Sequence, residues 1–182
     1  MIKKLAFFLC TTLLTSVATA TQLTPEQQIA KERGMTLYNQ YKAISAEPYL
    51  KIAAEAGDRE SQYFLGEALR LNNRYMTTEA QKWYIAAAEQ GDPIALEAFR
   101  FTGEMLGRAL ADVVTVTSPE AIFLFGGLSK AGKLIFEPTQ WYMEENMLFA
   151  FKNKVKLLPS GIQGKNAAIL GASALIWQQE NK

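Results

Sequence analysis

The sequence predicts an α-rich chain of class α+α/β, in which a short antiparallel helical-repeat segment runs into a βαβ segment with two parallel strands. Two observations carry this. Tyr49 to Asp58 reads Tyr-Leu-Lys-Ile-Ala-Ala-Glu-Ala-Gly-Asp and Trp83 to Asp92 reads Trp-Tyr-Ile-Ala-Ala-Ala-Glu-Gln-Gly-Asp, so aromatic, Ala-Ala-Glu and Gly-Asp recur at a shift of 34, the period of stacked helix pairs. Further on, Ala121-Ile122-Phe123-Leu124-Phe125 is a short apolar run bounded by Pro119 and Gly126-Gly127, the pattern of a buried strand. With 182 residues, 49% hydrophobic and 20% charged, the chain has the composition of a folded globular protein.

The start of the chain reads as an export signal. Lys3 and Lys4 precede an apolar run from Leu5 to Leu14, and Ala18-Thr19-Ala20 supplies a small-x-small cleavage pattern. A membrane anchor would need about 20 apolar residues. Residues 1–20 are therefore expected to be a signal peptide cleaved after Ala20, which makes the mature chain periplasmic or secreted. The only cysteine, Cys10, leaves with the signal, and the sequence contains no histidine. These two facts exclude disulfides, thiolate nucleophiles, imidazole bases and His/Cys metal sites from the mature chain. Loss of Lys3 and Lys4 moves the formal net charge from +1 to about −1. Without a basic stripe no nucleic-acid partner is expected, and no later apolar run is long enough to span a membrane.

Residues 21–92 form the repeat segment. Thr24-Pro25-Glu26-Gln27 offers a Thr N-cap, Pro at the first helical position and Gln at the capping-box position, opening a helix expected to reach about Ser45. Ala53, Ala54, Ala87 and Ala88 allow close helix approach, while Gly57 and Gly91 suit left-handed helix ends. Gln62, Tyr63, Leu65 and Gly66 begin the helix that opens the second repeat. Trp83, Tyr84, Ala87, Ala88, Glu89, Gly91 and Ala95 resemble the signature of the SEL-one-like subclass of tetratricopeptide-type (TPR-like) repeats. That resemblance, over about residues 46–95, implies a noncatalytic scaffold presenting a surface to a protein partner. Tyr63, Trp83 and Tyr84 are the candidate interaction residues, although aromatics at helical spacing more often form inter-helix core.

Residues 93–182 follow a different grammar. A helix is expected from Ile94 to about Val116, with Gly103 and Gly107 on one face and Ser118-Pro119 as its stop. The strand at Ala121–Phe125 comes next, then an amphipathic stretch from about Pro138 to Phe151, a second strand at Lys154–Leu158, and a helix from Gly164-Lys165 through Trp177. Gly103, Leu106, Gly107 and Leu110, then Ser118-Pro119-Glu120-Ala121-Ile122, Phe125-Gly126-Gly127-Leu128 and Ala167-Ala168-Ile169-Leu170-Gly171-Ala172 resemble the C-terminal end of ROK family sugar kinases, especially glucokinase-like members. The resemblance implies part of an actin-like ATPase (RNase H-like) fold and makes Gly126, Gly127 and Leu128 candidate nucleotide contacts, where absent side chains let the backbone approach ATP.

The family's phosphate-binding loop, catalytic aspartate, sugar-binding motif and Cys/His zinc cluster have no counterpart in these residues. No catalytic residue, metal or obligatory cofactor is therefore expected, and ATP enters by resemblance alone. Gly127 to Leu134 has P-loop spacing, but Leu134 occupies the position where Ser or Thr must hold magnesium. Glu104, Glu144 and Glu145 are expected on solvated helix faces. The chain thus reads as a composite joined near Gly91, and Phe123 and Phe125 must be covered by repeat helices or drive self-association through exposed sheet edges. Three functions follow: an exported noncatalytic protein-interaction module; alternatively, an ATP-dependent ROK-type sugar kinase fragment keeping part of the nucleotide site; or a fusion product without function.

Overall fold

The computed structural model describes residues 22–162 together with Ala174. The signal peptide, the helix through Trp177 and the Ala167–Ala172 run lie outside the described residues. Four helices, α1 (Pro25–Asn39), α2 (Ala43–Glu55), α3 (Arg59–Asn73) and α4 (Thr78–Glu89), are joined by short turns, and each packs on the next. Such short connections make antiparallel neighbours. The long helix α5 (Pro93–Thr117) leads to β1 (Ala121–Leu124), a 3₁₀ turn at Leu128–Ala131, α6 (Lys133–Asn146) and β2 (Lys156–Pro159).

The capping box at Thr24 forms as its sequence requires, with the Gln27 backbone N–H bonded to the Thr24 hydroxyl and the Thr24 N–H to the Gln27 side chain. The helix it opens is shorter than expected. It stops at Asn39 because Tyr41 takes a left-handed φ of 59°, and the N–H groups of Tyr41 and Lys42 turn back to the carbonyls of Tyr38 and Leu37. Tyr41 carries no glycine-like cue, so sequence reading merged α1 with the start of α2.

The repeated Gly-Asp pair produces the same corner twice. Gly57 and Gly91 have φ of 93° and 79°, and Asp58 and Asp92 cap the helices that follow, through Ser61 and through Ile94 and Ala95 respectively. In both corners the glycine N–H reaches the alanine carbonyl three residues back, and the aspartate N–H the alanine five back. Lys31 of α1 bridges to Asp58 at 2.9 Å and Glu60 at 2.8 Å, tying the first helix to the first corner.

Gly103 and Gly107 bring α5 and α6 into backbone contact. A Cβ at Gly103 would lie 2.7 Å from the Pro138 ring, and one at Gly107 would lie 2.6 Å from the Thr139 carbonyl oxygen. Helix α6 starts at Lys133, ahead of the expected Pro138, because Gly132 at φ 54° turns the chain out of the 3₁₀ segment. Pro138 therefore sits inside the helix, where its ring fills the gap at Gly103.

The two strands are parallel, as expected for a βαβ unit, with Ile122 paired to Leu157 and Phe123 to Leu158. The second strand begins two residues later than its apolar pattern suggested, because turns occupy Phe149 to Lys154. Ile122 and Leu157 pack on Ala111, Val114, Met143, Met147 and Val155. Alternation sends Phe123 to the other face, where it is 58% exposed and Phe125 is 55% exposed. The strand is thus half-buried, not fully buried as the apolar run implied, and the described repeat helices do not cover these phenylalanines. A second, larger core runs from Ala46 and Leu50 through Leu65, Ala80, Tyr84 and Ala87 to Phe99, Ala131 and Ile135, so the helical array and the βαβ segment share one apolar interior.

Candidate functional site

The strand exit after β1 uses its two glycines differently. Gly126 has φ 96° with open space around its Cβ position, so it is required for backbone conformation. Gly127 has an ordinary φ of −59°; its need is room. A Cβ there would stand 2.6 Å from Oε1 of Gln81, a residue of α4. The expected close approach at the glycine pair is therefore real, and among the described residues the approaching group is a side-chain amide from the helical array.

Beside this contact lies a cavity of about 560 Å³, within the size range of small-molecule sites. Gly127 and Leu128 form one wall. Tyr63, Glu67 and Arg70 of α3 and Gln81 and Tyr84 of α4 form the opposite wall, while Ala95, Phe99 and Thr102 of α5 make the base. Met76 of the α3–α4 loop also lines it. The structure thus gathers Gly127, Leu128, Tyr63 and Tyr84, which the sequence had placed in two separate sites, around one space. Gly126 lies at the rim by chain connectivity, and Trp83 is outside the lining: it packs, half-buried, against the helical core beneath Lys82.

A polar network stiffens the helical wall. Glu67 accepts hydrogen bonds from the Tyr84 hydroxyl, from Arg70 Nη2 at 2.7 Å and Nε at 3.3 Å, and from Tyr38 at 3.4 Å. Burial disfavours the Glu67 carboxylate, but the bonds from Arg70 and Tyr84 outweigh it and hold its pKa below the usual carboxylate value. Burial and the neighbouring Glu67 push the Tyr84 phenol well above its ordinary range. Tyr84 is itself 7% exposed and stacks edge-on with Tyr63 at 5.7 Å. The aromatic set is therefore mainly inter-helix core, with one edge turned to the cavity. Glu67 and Arg70 carried the i,i+3 spacing of a helical ion pair, a signal the sequence reading passed over; Gln81 and Phe99 carried none.

The P-loop spacing does not fold as a phosphate cradle. Residues 128–131 wind into a 3₁₀ turn whose Lys130 N–H bonds to the Gly127 carbonyl, and Leu134 packs into the apolar core. Two of the three acids expected on solvated faces have structural partners. Glu104 is half-buried between Arg100 at 3.0 Å and Arg108 at 2.7 Å, and Glu144 accepts the Asn153 N–H at 2.9 Å, holding the turn before β2. Among the described residues no cluster of metal-ligating side chains occurs, and no helix is long and apolar enough to cross a membrane.

Comparison with known proteins places this arrangement in a family. Residues 61–179 match the model of the ROK family, a span that begins in α3 and so takes in α4, which the sequence had assigned to the repeat segment. A glucokinase of Thermotoga maritima is 31% identical over 90 residues, covering 50% of this chain and 28% of the relative. A glucokinase of Halalkalibacterium halodurans is 30% identical over 96 residues, covering 53% and 29%. The DNA-binding transcriptional dual regulator NagC of Escherichia coli is 27% identical over 90 residues, covering 50% and 22%. The chain thus spans less than a third of the length of these curated relatives. No solved structure gives a significant match. The matched span includes α5, the parallel strands, the Gly126-Gly127 exit and both walls of the cavity, and the chain belongs to the ROK family.

Proposed function

We propose that the chain is a ROK-type fragment that binds a purine nucleotide, ATP in the first instance, in the cavity between Gly127-Leu128 and the wall formed by α3 and α4. The observation that carries this is the position of the cavity, directly beside the glycine pair that the family resemblance makes a nucleotide contact. The cavity suits the nucleoside end of such a ligand: Tyr63, Tyr84 and Phe99 offer aromatic surface and Gln81 an amide. The phosphate end has weaker provision, since Arg70 is committed to Glu67. Phosphoryl transfer needs nucleotide, metal, acceptor and base positioned together, and the reading is of binding without sugar phosphorylation by this chain alone. ATP is expected to raise the melting temperature of the full chain, and Gly127→Asp, which places a carboxylate at the cavity wall, to abolish the rise. An unchanged melting curve at millimolar ATP would remove the proposal.

A second reading is favoured by the groove between the α1–α2 turn and the end of α3, lined by Tyr38, Tyr41, Ile44, Leu71 and Arg74. Here the SEL-one-like array of an exported chain serves as a protein-interaction surface. Tyr41 is 98% exposed at its rim. N-terminal sequencing of material recovered from a periplasmic extract tests the export step, with Thr21 as the expected first residue. A bait carrying Tyr41→Ser and Ile44→Ser tests the surface: it should lose the partners the wild-type chain retains.

A further inference from the structure

Gln81 is 7% exposed, yet its side-chain amide makes no hydrogen bond among the described residues. Buried amides are normally paired, and one left unpaired costs about 1–3 kcal/mol. The amide lies 2.6 Å (Oε1), 3.5 Å (Cδ) and 3.7 Å (Nε2) from the Cβ position that Gly127 leaves empty, and it lines the cavity. The missing side chain at Gly127 makes room for the amide, and the cavity is the space from which a partner can reach it.

Resting on the nucleotide reading above, we infer that Gln81 is the base-reading residue of this pocket and selects adenine over oxopurines. A glutamine amide presents one acceptor and one donor side by side, which matches the N6 amino group and N7 of adenine. Guanine and hypoxanthine show two acceptors, O6 and N7, along the same edge, so Oε1 of Gln81 faces an oxygen with no proton between them. The Tyr63, Tyr84 and Phe99 rings supply the flat apolar surface that a base of either kind requires, so they contribute affinity and the amide contributes choice. The selecting group thus comes from the helical array, the opposite side of the pocket from the glycine pair.

Titration calorimetry of the full chain with adenosine, inosine and 7-deazaadenosine tests this. Wild type should bind adenosine about 10- to 100-fold more tightly than inosine, with 7-deazaadenosine also weakened by loss of the N7 acceptor. Gln81→Met keeps the side chain's length without its amide and should bring adenosine and inosine within about twofold, while the melting temperature stays at or above the wild-type value because the unpaired amide is gone. Equal binding of adenosine and inosine by wild type, or an unchanged ratio in Gln81→Met, overturns the assignment and leaves nucleotide binding intact. Absence of binding by any purine overturns both.

Discussion

Gly107 of α5 lies directly under the Thr139 carbonyl of α6: a single added methyl would meet that oxygen at 2.6 Å and the Met143 backbone nitrogen at 2.8 Å. Both obstructing atoms belong to the backbone, so no side-chain rotation relieves the contact. Gly107→Ala should therefore destabilise the chain by about 2 kcal/mol through overpacking, despite the gain of about 1 kcal/mol in helix propensity. Urea unfolding checks this; a stabilised Gly107→Ala would show that α5 and α6 are not in backbone contact.

The two glycines after β1 should respond differently to the same substitution. Gly126→Ala forces a Cβ into a left-handed backbone and is expected to cost about 1–2 kcal/mol. Gly127→Ala meets only the tip of the Gln81 side chain, which can rotate away, so its expected change is within about 0.5 kcal/mol. Differential scanning calorimetry of both variants distinguishes the roles, and the reverse order would refute them.

The repeated corners permit a matched comparison. Asp92→Ala removes the acceptor for the N–H groups of Ile94 and Ala95 and should cost about 1–2 kcal/mol. Asp58→Ala removes the cap on Ser61 and also the 2.9 Å bridge from half-buried Lys31, so its loss should be larger. Chemical denaturation of the pair, with Lys31→Met as the third corner of a cycle, measures the difference.

Acid should unfold the chain in part through Glu67. Its folded pKa lies below the ordinary 4.5, so its contribution is fully present above about pH 5 and is lost as pH falls through the folded value. Glu67→Gln should flatten the stability–pH curve between about pH 5 and 3 and lower stability at pH 7. Asp58, also held below its ordinary 3.8, accounts for a residual slope. Melting temperatures across this range provide the measurement, and identical curves for the two proteins would rule the network out as a source of acid sensitivity.

Helix corners were the most legible features because they depend on local chemistry. Thr24-x-x-Gln27, Gly57-Asp58 and Gly91-Asp92 each specify backbone geometry within five residues, and each forms as written. The parallel strand pair was legible from apolar runs and bounding Pro and Gly. What sequence reading missed was set by distant partners. Tyr41 turns left-handed without a glycine, Pro138 is tolerated inside α6 by the space at Gly103, and Glu104 is enclosed by Arg100 and Arg108. The cavity was missed for the same reason: Gly127 and Gln81 lie 46 positions apart and are brought together only by α5 folding back through β1.

The unbroken apolar interior from Leu50 to Ile135 ties the fate of the first four helices to everything after Gly91. Severing the chain at that glycine would strand Ala80, Ala87 and Ala88 against water on one piece and Phe99, Ala131 and Ile135 on the other. Neither half is therefore a portable module, and the described residues should melt as one cooperative unit.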